Sequence, residues 1–385
     1  MSRSEALIDL AAIRSNTSKL KAMTQAQLLA VVKADAYGHG LVPSARAALR
    51  GGANWLGVAI IDEALELRAH GVTAPILAWL WTPGEEESVR RAIAGGIDLS
   101  VNSIWALEMV AAQSRALDTP ASVHLKIDTG LSRNGVARDD WRDVLLAAAE
   151  LVDQIDLRIT GIWSHFAYAD SPGHATIDRQ LVAFEQALAE AVECGVVPSL
   201  RHIANSAALL TRPDAHYDMV RPGIALYGLP PVPGNFGLTP AMTLRAELAL
   251  AKKVAAGEGV SYGHDYVTSS ATTLGLVPLG YADGIPRAAS SIAPLQLRGE
   301  RFQINGRVCM DQFVVDLGAI DVQAGEVVTL FGPGIGGEPT ATEWADLLGT
   351  IDYEIVTRIG PRVRRVFSDD AEDTDLAEFV EDSVG

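Results

Sequence analysis

Eight short apolar runs, each followed by a longer segment of helical spacing, constrain this chain more than any other feature. The runs are Leu28–Lys33, Trp55–Ile60, Pro75–Trp81, Ile97–Val101, Ser122–Asp128, Arg158–Phe166, Leu200–Asn205 and Met219–Tyr227. Between them lie segments such as Asp62–His70, Ile104–Ser114, Trp141–Leu151 and Ile177–Cys194, where apolar residues recur every three or four positions. Strands alternating with helices predict a parallel sheet. Eight such units over about 200 residues fit a closed (β/α)₈ barrel. A doubly wound open sheet usually has fewer strands, and no G-x-G-x-x-G follows the first run.

The chain has 385 residues, too many for one ordinary core. Residues 228–240, GLPPVPGNFGLTP, hold four Pro and three Gly and mark a boundary. Beyond it the pattern turns to strand-like runs: Leu244–Val254, Thr272–Pro278, Phe302–Ile304, Gln312–Leu317 and Glu326–Phe331. One helix is predicted near Thr340–Leu348, with Thr342 as its cap. The expected fold class is α/β, with an N-terminal barrel domain over 1–235 and a C-terminal mostly-β domain over 236–368. The first few residues are expected to pack with the β domain. Residues 369–385 form an expected disordered acidic tail. That tail holds eight carboxylates and no Lys or Arg, leaving −9 of the formal −17 for the rest of the chain.

An acidic body repels nucleic acid and anionic membranes, so neither is an expected partner. No run of about 18 apolar residues predicts a membrane span. Only two cysteines, Cys194 and Cys309, occur, which points to a reducing compartment rather than a disulfide framework. The first ten residues include Glu5 and Asp9 and lack the apolar stretch of a signal peptide. A cytoplasmic protein is expected.

In a parallel barrel, chemistry sits at the C-terminal strand ends. Lys33, Lys126 to Arg133, His165, Asn205 with Ser206, and Arg221 all fall there. A lone strand-terminal lysine is ordinarily a surface residue with its stem packed and its amine in water. Lys33 instead leads into Tyr37, Gly38, His39 and Gly40, and a desolvated lysine can form an imine with an aldehyde. His165 has no matching His or Cys pattern around it, so no metal site is expected.

The segment AVVKADAYGHG, residues 30–40, resembles the lysine signature of the alanine racemase family, which depends on pyridoxal phosphate. ALIDLAAIRSN (6–16), HLKIDTGLSRNG (124–135), HIANSAA (202–208), RPGIALYG (221–228), GVSYGHDYVT (259–268), GYADGIPR (280–287), VCMDQFVVDLG (308–318) and YEIVTRIG (353–360) extend the likeness in order over residues 6–367. The resemblance implies a TIM-type barrel followed by a β domain, and a reaction that interconverts L- and D-alanine for bacterial peptidoglycan.

By that resemblance Lys33 holds pyridoxal phosphate as a Schiff base, and Tyr37 binds its phosphate. Ser206, Gly223, Ile224 and Tyr353 add phosphate contacts, Asn205 lies at the cofactor, and His165 lies near its ring. Pro222 has no N–H to offer, a small departure from the pattern. Arg221 faces the pyridine nitrogen; an arginine stays protonated and leaves that nitrogen unprotonated, which weakens the electron sink and limits side reactions. Arg133 takes the substrate carboxylate, and Met310 lines the substrate site. Lys126 matches a lysine often carbamylated in the family, which would relieve its repulsion from neighbouring cations. Racemisation needs a proton to leave one face of Cα and another to arrive on the opposite face, hence a second acid/base besides Lys33. The resemblance gives that role to Tyr262, and Tyr281 with Tyr353 gate the entry. It also implies a head-to-tail homodimer with shared active sites.

Three alternatives are a non-catalytic pyridoxal-phosphate-binding or carrier protein, a decarboxylase on the same scaffold, and a racemase of broader amino-acid range. Carrier proteins have a similar barrel and lysine but no β domain. A decarboxylase on the same scaffold usually has an acidic residue where this chain has Arg221.

Overall fold

The computed structural model describes residues 3–154 and 157–369. Residues 14–238 form one unit, and 3–13 with 239–369 form the other. Strand β1, Ser4–Asp9, belongs to the second unit. The first unit holds eight parallel strands: β2 (Gln27–Val31), β3 (Trp55–Val58), β4 (Ile76–Ala78), β5 (Asp98–Val101), β6 (Ala121–Lys126), β7 (Leu157–Trp163), β8 (Leu200–His202) and β9 (Met219–Val220).

Their order, β8-β7-β6-β5-β4-β3-β2-β9, is that of a barrel opened between β8 and β9. Backbone hydrogen bonds from Asp218 N to Arg201 O (3.1 Å) and from Arg221 N to Ala204 O (2.9 Å) bring these two together and close the ring. The strands read as continuous apolar runs because both faces are covered: β4 and β5 are buried along their whole length. Each crossover carries its helix, among them Ile61–Ala69, Ile104–Leu117, Trp141–Gln154 and Ala175–Glu193.

Two glycines let bulky rings into the barrel. A Cβ on Gly57 would lie 2.8 Å from the Trp79 ring, and one on Gly161 would lie 2.3 Å from His124 Nδ1. The interior is therefore aromatic and polar near its axis, not purely aliphatic.

All eight strands are shorter than their apolar runs, and the first and last show why. The first ends at Val31, and residues 33–38 form a tight turn in which Ala34, Asp35, Ala36 and Tyr37 all have φ between 53° and 55°. The last stops at Val220, and Ile224–Tyr227 is a 3₁₀ turn instead. Pro222 cannot donate to a ladder, which accounts for that break.

The second unit is mostly β. Its six-stranded sheet has the order β16 (Glu300–Gln303), β15 (Pro294–Leu297), β18 (Val327–Phe331), β10 (Met242–Glu247), β1, β19 (Arg364–Ser368). The N-terminal β1 thus sits between β10 and β19, antiparallel to the first and parallel to the second. A three-stranded sheet joins β11 (Leu250–Val254), β14 (Thr272–Val277) and β17 (Phe313–Asp316), and β12 (Gly259–Val260) pairs with β13 (Tyr266–Val267).

The single run expected over Leu244–Val254 is two strands in different sheets, broken at Leu248–Ala249. The predicted helix is present as Ala341–Leu348, but its cap is Thr340, whose hydroxyl accepts the Glu343 N–H (3.1 Å), and not Thr342. Except for Asp369, the expected disordered tail lies outside the described residues. Both cysteines are free.

Candidate active site

Lys33 opens a left-handed turn built without glycine until Gly38. Each L-residue in that conformation costs about 1–2 kcal/mol, so four in succession cost roughly 4–8 kcal/mol. Surrounding groups hold the turn in place. The Glu63 carboxylate accepts the Ala34 N–H (2.5 Å) through one oxygen, and the Ala59 (2.9 Å) and Ile60 (3.3 Å) N–H groups through the other. Asp35 accepts the Leu41 N–H (2.7 Å) and so starts the next helix, Leu41–Arg50. The turn redirects the chain immediately after the lysine.

Lys33 is half-buried, and its amine lies 5.9 Å from the Trp79 ring. Burial, then the Arg133 charge, depress its pKa, while Glu63 opposes the shift. The lysine is thereby biased toward the neutral amine that can attack a carbonyl.

Lys126 ends β6 and is buried, its amine 4.1 Å from the Trp163 ring. Burial and the charges of Arg221, Arg133 and Lys33 pull its pKa down to about 7, with Asp128 opposing. Arg221, also buried, lies over the same ring at 4.7 Å, and burial lowers it to about 9. Its guanidinium donates to Ser164 O (2.8 Å) and meets His165 Nδ1 (3.2 Å) and His202 Nδ1 (3.0 Å). Burial and then Arg221 push the His165 pKa well down, so the ring is neutral. Arg133 is exposed in the loop after β6. Lys33, Lys126, Arg133 and Arg221 thus form one cationic cluster at the C-terminal ends of the barrel strands.

Beside that cluster, the loops after β8 and β9 form a cradle. Asn205 caps the turn Ser206–Thr211 by accepting the Ala208 N–H (3.1 Å). The Ser206 hydroxyl accepts the N–H of Gly223 (2.8 Å) and lies 3.4 Å from that of Ala225. Ile224 is fully buried behind it. A Cβ at Gly223 would fall 2.3 Å from the Tyr37 hydroxyl, so only glycine lets the phenol approach this backbone. Tyr37 packs on Tyr227 at 5.0 Å, and burial raises its pKa, so it remains a donor. Hydroxyl and amide donors with no carboxylate among them suit a phosphate. The nearby depressed lysine suits an aldehyde. The residues present therefore fit pyridoxal phosphate.

The remaining candidates lie in the second unit. Tyr262 is 73% exposed and Met310 54% exposed. The Met310 carbonyl accepts the Ala282 N–H (2.9 Å) and the Cys309 carbonyl accepts the Tyr281 N–H (3.0 Å), which ties the Tyr281 turn to Met310. A Cβ on Gly280 would fall 2.3 Å from the Met310 carbonyl oxygen. Asp283, fully buried, accepts the Gly280 N–H (2.9 Å) and pairs with Arg3 (3.0 Å) and Arg362 (3.2 Å), fixing the same turn. Tyr262, Ser261 and Cys309 line a cavity of about 360 Å³. Tyr353 is half-buried in the helix Asp352–Thr357.

Sequence reasoning missed Glu63, Trp79, Trp163, His124, His202 and Asp98. No group of three or more His, Cys, Asp or Glu among the described residues could hold a metal ion.

Family models for the alanine racemase N-terminal domain and C-terminal domain match residues 8–231 and 241–367. The chain belongs to the alanine racemase family. A curated alanine racemase from Salinispora tropica is 55% identical over 369 residues, covering 95% of this chain and 99% of that protein. One from Streptomyces coelicolor is 54% identical, covering 95% and 96%. The crystal structure of the alanine racemase from Streptomyces lavendulae superposes with a TM-score of 0.94 at 52% identity, covering 97% and 98%. Alanine racemases thus match both units.

Proposed function

We propose that this chain interconverts L-alanine and D-alanine, with pyridoxal phosphate held by Lys33. The observation that carries this reading is the desolvated Lys33 beside a carboxylate-free donor cradle, in a chain whose similarity to alanine racemases spans both units. That span also argues against a carrier protein, which would need no β domain.

When bound, pyridoxal phosphate supplies an aldehyde for the amino group and a ring that makes the Cα proton acidic. Tyr37, Ser206, Gly223, Ile224 and Tyr353 would hold its phosphate, with Asn205 and His165 beside it. Arg221 would face its ring nitrogen and, still protonated near neutral pH with its pKa lowered to about 9, keep that nitrogen unprotonated. Arg133 would orient the substrate carboxylate, with Met310 lining the alanine pocket. Lys33 would take the α-proton of D-alanine and Tyr262 that of L-alanine, each returning a proton on its own face. Tyr281 and Tyr353 would gate entry.

Lys126 is proposed to carry a carbamate. A buried amine with a pKa of about 7 is substantially neutral near pH 7 and can add carbon dioxide, its lone pair forming the N–C bond while one N–H bond breaks and its proton passes to solvent. The resulting anion would sit among Arg133, Arg221 and Lys33 and orient Arg133.

The exposed Tyr262 and Met310 support a homodimer in which each chain completes the site of its partner. No helix among the described residues is long and apolar enough to cross a membrane. We place the enzyme in the cytoplasm, supplying D-alanine for peptidoglycan.

The test is chiral analysis of alanine after incubation with wild type, Lys33→Ala and Tyr262→Phe proteins. Wild type should bring either enantiomer to a racemate, and Lys33→Ala should lose both conversion and the bound cofactor's absorbance. Tyr262→Phe should keep the cofactor and lose L-to-D conversion. Retained absorbance in Lys33→Ala, or normal conversion in Tyr262→Phe, would sink the assigned roles.

A further inference from the structure

Behind Arg221 a line of buried polar groups crosses the barrel interior. Arg221 Nη1 lies 3.0 Å from His202 Nδ1, and His202 Nε2 lies 2.8 Å from His124 Nδ1. His124 Nε2 lies 3.3 Å from Asp98 Oδ2, a charge contact rather than a hydrogen bond, and neither of these two buried atoms makes a hydrogen bond among the described residues. Both histidines are fully buried, and the Asp98 side chain is 11% exposed. Asp98 begins β5, His124 lies within β6, His202 ends β8 and Arg221 follows β9. The line therefore runs from the N-terminal side of the barrel to the cationic cluster.

Its direction is fixed by chemistry. A guanidinium only donates, so His202 Nδ1 must accept. A neutral imidazole then carries its proton on Nε2 and donates it to His124 Nδ1. His124 in turn holds its proton on Nε2, the nitrogen nearest the only carboxylate in the line. The reverse direction would put two N–H groups face to face at Arg221. Burial, then Arg221 and His124, lower the His202 pKa well below the usual range, which keeps that ring neutral as the direction requires.

The surroundings are shaped for these rings. Trp163 stacks on His202 with 10° between planes and centroids 5.6 Å apart, and Trp55 meets His124 edge-on. Gly161 leaves the space His124 occupies. Buried polar groups are costly unless satisfied; hydrogen bonds satisfy both nitrogens of His202 and Nδ1 of His124, and the Asp98 carboxylate 3.3 Å away is the one group facing His124 Nε2.

We infer that Asp98, His124 and His202 are positioning residues that act through Arg221, forming a one-way donor line that fixes the guanidinium against the cofactor ring. The inference rests on the proposed placement of Arg221 at the ring nitrogen.

The test uses holoenzyme labelled with ¹⁵N-histidine, with resonances assigned from His124→Asn. His202 should be a neutral Nε2–H tautomer and His124 should carry a proton on Nε2, with no His202 titration between about pH 6 and 9. Asp98→Ala should alter the His124 tautomer and shift the bound cofactor's absorbance. It should also lower kcat by about tenfold, the scale of partners that orient a ligating side chain, with KM changed less than about twofold. Asp98→Asn keeps an oxygen that can accept from His124 and should restore kcat to within about threefold. An Nδ1–H or cationic His202 in wild type overturns the inference, whether or not the variants fold. So does an Asp98→Ala protein identical to wild type in tautomers, absorbance and kcat, or an Asp98→Asn protein as impaired as Asp98→Ala. Wild type with the expected tautomers but no alanine racemisation would overturn the functional reading and leave the donor line standing.

Discussion

Replacing Lys126 with methionine should make the barrel more stable in acid, and the gain should fade as pH rises. In the unfolded chain Lys126 keeps its proton up to about pH 10.4. In the fold, burial and three neighbouring cations bring its pKa to about 7. Between those values the unfolded state binds more protons, so stability rises with pH, and below about pH 7 the full penalty is present. A gap of more than three units at about 1.36 kcal/mol each gives at most about 5 kcal/mol. The Trp163 face 4.1 Å from the amine returns about 0.5–2 kcal/mol to the charged form. Methionine has similar length and no charge, so Lys126→Met should gain about 3 kcal/mol at pH 6 in buffer free of carbon dioxide. The difference should fall toward zero by about pH 10. Urea unfolding followed by tryptophan fluorescence reads the barrel, since six of the seven tryptophans (Trp55, Trp79, Trp81, Trp105, Trp141 and Trp163) lie within it. Added bicarbonate should stabilise wild type and not the variant, because only an amine can form the carbamate. A stability difference that stays flat from acid to alkaline pH would refute the buried-cation reasoning.

Two further substitutions probe the supports of the site. Gly223→Ala places a methyl 2.3 Å from the Tyr37 hydroxyl, so the packed phenol must move at a cost of about 1–3 kcal/mol. Fluorescence titration should then show pyridoxal phosphate affinity weakened by roughly tenfold or more, and unchanged affinity would remove Gly223 from the cradle. Glu63→Gln turns an NH₂ group toward one set of backbone donors and should cost about 1–3 kcal/mol in thermal unfolding. An unaltered melting temperature would mean that the left-handed turn is held by other contacts.

The barrel was legible because its strands are buried on both faces and so read as unbroken apolar runs, Ile76–Ala78 being one. The cationic cluster was legible because charged residues at strand ends stand out against those runs. The left-handed turn was not, because Ala34, Asp35, Ala36 and Tyr37 carry no glycine signal; tertiary contacts such as Glu63 impose it. His124 within ASVHLK reads as an isolated polar intrusion, and nothing local says that Gly161 on the neighbouring strand makes room for it. The strand Ser4–Asp9 also hides its partners, since Met242–Glu247 and Arg364–Ser368 are more than 230 residues away. Thr340 and Thr342 are both plausible caps by composition, and only the geometry at Glu343 chooses between them.

The central claim is that protons are exchanged at Cα on opposite faces by two different groups. Incubation of the wild-type enzyme with L-alanine in D₂O, followed by chiral separation and a deuterium count at Cα, tests it most directly. At early times the D-alanine product should carry solvent deuterium at Cα, while the remaining L-alanine carries much less, because the proton taken by Tyr262 is not the one Lys33 returns. D-alanine that retains the substrate's own hydrogen would show a single group moving one proton from face to face, and would contradict the account.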